Sequence, residues 1–326
     1  MKRVALALVI IILGAFIIYG VMRCMPTSYV EGVARQRAAQ TASTGGASYV
    51  EWLEKLNEAY HMNDDVVTGY INWLGYVVRG DFGDSWLYGV PVISKFKDII
   101  WYSVVLNIVT MVLQVVICIP LGIRAARKQY SGFDYGITVF AMLCISLPTF
   151  FLATVLKYIF AIKLGWVDLY GIVGRYHEQL STWGKIGDMA VHAILPTLTL
   201  TMLNVGGLTR YTRTNMLEVL NADYIRTARA KGLPEKVVIN RHAFRNTLIP
   251  LVSYMSYLIP SLFSGSMITE TLYQIPGIGY IAYDAMKVGD LPFTMFYSVF
   301  GLVLTQASLM LADVMYAVVD PRVRIN

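Results

Sequence analysis

Residues 221–250 have the sequence NADYIRTARAKGLPEKVVINRHAFRNTLIP, the longest polar interruption between apolar segments in the second half of the chain. The side chain of Asn221 or Asp223 can cap a helix that begins here. Gly232 stands where a glycine commonly ends a helix, and Pro234 suits the start of the next one. The stretch therefore predicts a short helix, a Gly-Leu-Pro break and a second, basic helix that runs into an apolar segment.

The first of these helices is predicted to be amphipathic. Tyr224, Ile225 and Ala228 fall on one of its faces, and Arg226 and Arg229 flank that face. An apolar stripe that is exposed to the cytosol requires a partner groove. A plain basic loop would explain the charge, but not the capped helix and the break, so we expect a docking helix.

The composition around this segment is that of a membrane protein. The chain has 326 residues, of which 56% are hydrophobic and 15% charged, and its mean hydropathy is +0.55. Six stretches reach the length of about 20 apolar residues that a membrane-spanning helix needs. We predict an all-α polytopic membrane protein with six transmembrane helices, at residues 4–22, 99–123, 137–162, 189–209, 248–269 and 293–319.

The distribution of charge predicts the orientation of these helices. With the N-terminus in the cytoplasm, the cytoplasmic segments carry 15 basic and 5 acidic residues, whereas the outer segments carry 11 basic and 15 acidic residues. The opposite orientation would violate the positive-inside rule. We therefore expect both termini in the cytoplasm and an uncleaved first span. The net charge of +6 then reflects cytoplasmic loops and does not indicate nucleic-acid binding.

The segment between the first two predicted spans, residues 23–98, is a long outer loop. Residues 38–48 are rich in Ala, Thr, Ser and Gly, as in a linker. Two amphipathic pieces follow, and they are interpreted either as interfacial helices with Trp and Tyr at headgroup depth or as a docking surface for an outside partner. Their apolar positions are Trp52, Leu53, Leu56 and Tyr60 in the first piece and Tyr70, Trp73, Leu74 and Val77 in the second.

Polar side chains are scattered along the spans, where they can either bond neighbouring helices or line a hydrated path. One sequence does not separate these two roles. Asp313 is interpreted as a structural acceptor, and Lys157 is expected to extend to the outer interface. The candidates for a translocation path are Asn107, Gln114, Asn204, Ser256, Ser264 and Gln306.

Motifs of enzyme chemistry are missing from the sequence. There is no GxxxxGK[ST] phosphate-binding loop, no HExxH and no GxSxG. The three cysteines form no CxxC pair, and the four histidines lack the spacing of metal ligands. We therefore expect no catalytic residue, no metal site and no cofactor on this chain.

The order of residues in 223–250 resembles the cytoplasmic coupling segment of ABC-transporter permeases, in the variant of the dipeptide/oligopeptide/nickel family, B-subunit type. Three further stretches are similar to that family: RGDFGDS at 79–85, ETLYQIPGIG at 270–279 and DVMYAVVDPRVR at 313–324. The general permease motif has Glu-Ala-Ala where this chain has Arg226, Thr227 and Ala228. The distance from Gly232 to Pro250 is also longer than in sugar-type permeases, and both departures favour the peptide subfamily.

The resemblance implies a type I importer permease fold with an extra N-terminal span and a long outer loop, in the plasma (inner) membrane of a prokaryote. It implies four domain segments: a first span at 1–22, an outer loop at 23–98, the permease domain at 99–319 with its coupling segment at 221–250, and a cytoplasmic tail at 320–326. It also implies as partners a second homologous permease, two cytosolic ATPases that bind ATP and Mg²⁺, and an external substrate-binding protein.

Residue roles follow from the same resemblance. The expected contacts with the ATPases are Asp223, Tyr224, Ile225, Arg226, Ala228, Arg229, Gly232 and Leu233. The expected contacts with the binding protein are Gln274, Pro276, Gly277 and Gly279. Peptides are the favoured substrate, and nickel or another small solute stays open. An ion-driven secondary transporter is the rival, but it would call for paired carboxylates within the membrane or an inverted repeat.

Overall fold

The computed structural model describes residues 2–25, 29–41, 47–59, 62–256 and 258–319. These ranges are helical apart from turns and loops, and their one β-type pairing is an isolated bridge between Asp84 and Pro91. The helices in chain order are α1 (Lys2–Arg23), α2 (Tyr29–Thr41), α3 (Tyr49–Ala59), α4 (Val66–Val77), α5 (Val92–Arg127), α6 (Gly132–Ser146), α7 (Thr149–Leu156), α8 (Thr182–Leu220), α9 (Asp223–Ala230), α10 (Glu235–Val237), α11 (Phe244–Ser256), α12 (Ile259–Ser264), α13 (Met267–Tyr273), α14 (Ile278–Val288) and α15 (Leu291–Val319).

Within the described residues, five helical segments are long and apolar enough to cross a membrane. They are Arg3–Arg23, Val92–Arg127, Thr182–Leu220, Glu235–Ser264 and Leu291–Ala312. A sixth is obtained if α6 and α7, with the π-helical continuation Lys157–Lys163, are counted as one broken span. The predicted all-helical, multi-span fold is therefore confirmed.

Two of the predicted spans are not continuous helices. The stretch 137–162 breaks between α6 and α7, whose axes differ by 105°, because Leu147 is extended (ψ 128°) before Pro148. A residue that precedes proline is kept out of the helical region by steric clash. The stretch 248–269 ends at Ser264, where Gly265 takes φ +73°, and α13 is a separate helix.

The chain divides into two compact units. The first comprises Met1–Trp101 with Ile278–Gln306, and the second comprises Tyr102–Gly277 with Ala307–Asn326. In the first unit, Tyr19 of α1, Tyr70 of α4 and Met295 of α15 share one buried cluster. Residues 79–85 form a turn, in which Gly83 has φ +75° and its N–H donates to the Asp81 carboxylate at 2.8 Å.

The segment between the first two spans, residues 23–98, holds one helix more than its sequence suggests. Residues 38–41 belong to α2, so the linker prediction is wrong for them. Val30 and Ala34 of α2 are buried against Leu56 of α3, and alanine, common in α2, is the best helix former. The predicted amphipathic helices are confirmed as α3 and α4. Residues 42–46, Tyr60 and the tail 320–326 lie outside the described residues, as does the side chain of Asp313.

The second unit is built around α8, whose small residues let other helices approach closely. A Cβ on Gly206 would collide with the backbone oxygen of Ala141 in α6, and a Cβ on Gly122 of α5 would lie 2.6 Å from the Cβ of Thr212. Close approach at small residues is a common way for membrane helices to associate. Asp134 of α6 and Arg213 of α8 add a two-pronged ion pair, at 2.6 and 2.7 Å.

Candidate coupling site

The turn from α8 into α9 is made without the predicted cap. Ala222 is the N-cap of α9 and offers no side-chain hydrogen bond, whereas Asn221 ends α8 as its C-cap. The capping prediction is therefore wrong, because α8 continues to Leu220 and only Ala222 is extended before α9 begins. Asp223 lies in the first turn of α9, where its negative charge interacts favourably with the helix dipole.

The apolar side of α9 is covered by this same chain. Ile225 is fully buried and Ala228 almost so, in a cluster with Met216 of α8 and Val238, Ile239 and Ala243 of the returning segment. The expectation that Ile225 and Ala228 form an exposed stripe is therefore wrong. The apolar residues within 238–243 were the sequence signal for this burial. They begin 13 residues after Ile225, so the chain can fold back and place them on Ile225.

The outward side of α9 consists of different residues. Tyr224 is 46% exposed and Leu233 is 37% exposed. The Asp223 and Arg226 side chains are also exposed and approach each other at 3.6 Å. Of the eight residues predicted to contact the ATPases, the structure leaves Asp223, Tyr224, Arg226, Arg229, Gly232 and Leu233 open to a partner.

The break after α9 is closed by a backbone turn and an ion pair. Gly232 has φ +74°, and its N–H donates to the Arg229 oxygen at 2.9 Å. The Arg229 guanidinium donates to both carboxylate oxygens of Glu235, at 2.8 and 3.2 Å, and this bond raises the pKa of Arg229. The pairing of Arg229 with Glu235 was missed, although opposite charges six residues apart flank the Gly-Leu-Pro turn.

Gly232→Pro is expected to uncouple the segment. Proline fixes φ near −65° and lacks an N–H, so it can take neither the φ of +74° nor the bond to Arg229. We expect transport to be lost while the protein still reaches the membrane. Gly232→Asn is the matched control, because asparagine tolerates positive φ. Equal transport by both variants would contradict the assigned turn.

The return from α10 into α11 fixes the segment to α8. A π-helical turn, Val238–Ala243, leads into α11. Thr247 of α11 donates to the sulfur of Met216 at 3.5 Å, and the rings of Tyr211 and Tyr254 stack with centroids 4.8 Å apart. α9 therefore rests on a packed base that includes the span before it in the chain and the span after it.

The path candidates differ in how the structure uses them. Asn107 donates to the Ser261 oxygen at 2.9 Å and accepts from Ser266 at 3.3 Å, and Ser256 donates within its own helix. Gln114 is buried, whereas Asn204 is exposed and donates to the Leu200 oxygen. Ser264 and Gln306 are half-buried. All but Gln306 belong to the second unit.

The stretch 270–279 forms a tightly bonded corner. Glu270 is fully buried, and its carboxylate accepts from Ser103 at 2.7 Å and from the Ser266 N–H at 2.9 Å. Gln274, at φ +53°, ends α13 and is exposed, while Pro276 is half-buried. Gly277 and Gly279 are buried, so the expectation of a binding-protein contact fits Gln274 best among the four.

Lys157 supports the same corner from the third predicted span. Its ammonium group donates to the Leu272 oxygen at 2.7 Å and lies 3.7 Å from the centre of the Tyr170 ring. The side chain is buried, so the expectation that it extends to the outer interface is wrong. A backbone carbonyl and an aromatic face replace water around this charge.

Gly277→Ala is expected to disrupt the corner. An added Cβ would collide with Ser103 Oγ and lie 2.5 Å from a carboxylate oxygen of Glu270, which is fully buried and has no room to yield. We expect a lower melting temperature and reduced transport. Gly136→Ala, with no atom near the added Cβ, is the control and should keep both. An unchanged Gly277→Ala protein would contradict the packing described.

The architecture defines an integral membrane protein with several spanning helices and a packed helical platform between two of them. Comparison with known proteins makes this specific. Residues 118–325 match the family described as "Binding-protein-dependent transport system inner membrane component". The chain belongs to this family.

Relatives extend the similarity beyond the matched region. The chain is 38% identical over 271 residues to the oligopeptide transport system permease protein AppB of Bacillus subtilis, covering 83% of this chain and 84% of the relative. It is 34% identical over 275 residues to OppB of Salmonella typhimurium, covering 84% and 86%. A putative peptide transport system permease of Brucella abortus is 30% identical over 324 residues, 99% of this chain and 98% of the relative.

Proposed function

We propose that this chain is a permease subunit of an ATP-driven importer of di- or oligopeptides. The observation that carries the proposal is the platform of α9, seated on α8 and on the π-helical turn Val238–Ala243, in a member of the family of inner membrane transport components. The peptide substrate is supported by the oligopeptide permeases among the relatives. The chain itself is proposed to be non-catalytic.

The platform is proposed to receive force from cytosolic ATPases. Tyr224 and Leu233 offer apolar contact on its outward side, and Asp223, Arg226 and Arg229 surround them with charge. Because Ile225 and Ala228 lock α9 onto the spans, a push on Tyr224 moves the spans instead of bending a loop. Ile225, Ala228 and Gly232 thus act as positioning residues.

The proposed partners complete the transporter. A second, homologous permease forms the other half of the pathway, two ATPases bind ATP and Mg²⁺, and an external binding protein delivers the substrate. Exposed Gln274 at the corner of α13 is proposed to face that protein. We propose that the chain lies in the inner membrane with both termini in the cytoplasm, which the charge distribution supports, and that it has no role in nucleic-acid binding.

The proposed path uses polar residues that remain accessible in this subunit. Asn204, Ser264 and Gln306 are exposed or half-buried and are the preferred lining residues. Asn107, Gln114 and Ser256 are buried and are proposed to hold helices together in the state described here. Backbone oxygens and hydroxyl groups along such a path would suit peptide bonds of many sequences.

Reconstitution of the complete transporter tests this function. Proteoliposomes with both permeases and both ATPases, ATP inside and peptide-loaded binding protein outside, should accumulate labelled peptide. A non-hydrolysable ATP analogue should stop accumulation. Uptake by the lone chain under an ion gradient would overturn the proposal, and uptake of Ni²⁺ without peptide would reassign the substrate.

A further inference from the structure

α4 has three distinct faces. One face is turned inward, with Gly69 and Tyr70 buried and Trp73 half-buried. A second face is apolar but open, since Val67 is 52% and Ile71 61% exposed. Val78, at the C-cap and 80% exposed, continues this open face at helical spacing. The structure therefore leaves an uncovered apolar stripe on a helix of the outer loop.

The third face of α4 is polar and also open. Thr68 and Asn72 are exposed on it, between about 60° and 140° around the helix axis from Val67 and Ile71. A groove of about 720 Å³ lies beside it, lined among others by Ile71, Asn72 and Arg79. An apolar stripe next to a polar one is the pattern of a helix lying at a membrane interface.

The depth of α4 follows from its contacts with α1. Tyr70 Oη donates to the Ile12 oxygen at 2.7 Å, and the Tyr70 ring meets the Phe16 ring edge-on at 5.2 Å. At a rise of about 1.5 Å per residue, Phe16 lies roughly 10 Å and Ile12 roughly 16 Å inward from Arg23 along α1. Half of the hydrocarbon core is about 15 Å thick, so the inner face of α4 lies alongside the apolar part of a span.

The two ends of α4 are held by polar groups. Arg23 at the end of α1 donates to the Met62 and Asp64 oxygens, at 2.8 and 2.7 Å. Asp65 caps α4 by accepting from Val67 N–H and Thr68 N–H, and hydrogen bonds from the side chain and backbone of Thr68 lower its pKa. No charged residue follows until Arg79, so 13 uncharged residues lie between the polar ends.

We propose that α4 is embedded in the outer leaflet, with Val67, Ile71 and Val78 in contact with phospholipid acyl chains. Lipid is the occupant because α1, which shares this depth, is a spanning helix whose own Leu13 and Ile17 are open. A water-soluble partner could not reach side chains at that level. Thr68 and Asn72 face the headgroups.

The embedding would steady the outer end of a spanning helix. α4 leads into the turn at 79–85, where Ser85 donates to Asp290, and the Leu87 N–H donates to the same carboxylate at 3.0 Å. Asp290 directly precedes α15 and bonds its first turn through the Phe293 N–H at 3.2 Å. A lipid anchor on α4 thereby restrains the start of α15.

Spin labels on α4 test the proposal in the full complex in liposomes. With Cys24, Cys118 and Cys144 replaced, single cysteines are placed at Ile71 and at Asn72, an adjacent control on the polar face. Collision with oxygen, which concentrates in lipid, is compared with collision with a water-soluble nickel chelate. We expect the ratio of oxygen to nickel collisions to be several-fold higher at Ile71 than at Asn72.

Two results would overturn the proposal. The first is equal access of the nickel chelate to both labels in complexes that retain ATP hydrolysis. The second is a label at Ile71 that is open to the chelate alone and becomes shielded when the external binding protein is added, which would assign the stripe to a protein interface. The ATPase assay also shows that each cysteine variant is folded, so either outcome is interpretable.

Discussion

Ile225→Asp is expected to abolish the response of ATP hydrolysis to peptide-loaded binding protein. Ile225 is fully buried between α8 and the returning segment, and removal of a buried isoleucine side chain alone costs about 2–5 kcal/mol. A carboxylate at that place would also be buried without a partner. α9 should therefore detach from its base, and movement of the ATPases would no longer reach the spans.

Ile225→Val is the matched control for this result. It removes one methylene group, at a cost of about 0.5–1.5 kcal/mol, and keeps the cluster apolar. We expect it to retain most of the stimulated ATPase activity, and both variants should appear in the membrane. Full stimulation of the Ile225→Asp complex would mean that the packing under α9 has no part in coupling.

Asp134→Ala is expected to lower the stability of the protein strongly. The Asp134 carboxylate is almost fully buried, and it accepts two bonds from Arg213 and one from the Tyr130 N–H at 3.0 Å. Removing one partner of a buried pair typically costs about 3–5 kcal/mol, because the other charge is left unpaired. The melting temperature in detergent should fall markedly.

A double substitution separates the ion pair from other effects. The variant that combines Asp134→Leu with Arg213→Met lacks both charges of the pair, and apolar side chains fill the space between α6 and α8. Replacement of a buried pair by apolar residues is often neutral or stabilising. We therefore expect the double variant to melt at a higher temperature than Asp134→Ala. If the double variant is less stable than Asp134→Ala, the unpaired arginine is not the cause of the stability that Asp134→Ala loses.

Most of the spanning helices could be predicted from the sequence, because a long uncharged run has few possible structures other than a helix that spans the membrane. The failures fall where local chemistry competes with the apolar run. Pro148 breaks the third span, and Gly265 ends the fifth. Between the first two spans, residues 38–41 of α2 were interpreted as part of a linker, although Val30 and Ala34 of the same helix meet Leu56 of α3.

The order of helix, break and second helix in residues 221–250 was predicted correctly, but the buried and exposed sides of α9 were exchanged in part. The pattern placed Tyr224, Ile225 and Ala228 on one face, and it did not reveal that residues 238–243 cover Ile225 and Ala228. Burial by a later segment depends on tertiary folding and is not encoded in helical spacing. The same limit applies to Lys157, whose aromatic partner Tyr170 lies in a loop.

Photo-cross-linking from Tyr224 tests the central claim most directly. Benzoylphenylalanine replaces Tyr224, which is 46% exposed, or Tyr130, a tyrosine 72% exposed in the loop between α5 and α6. The complete transporter is then irradiated in membranes. The account predicts a cross-link from position 224 to an ATPase subunit at much higher yield than from position 130. Absence of an ATPase product at position 224, in a complex that still transports peptide, would contradict it.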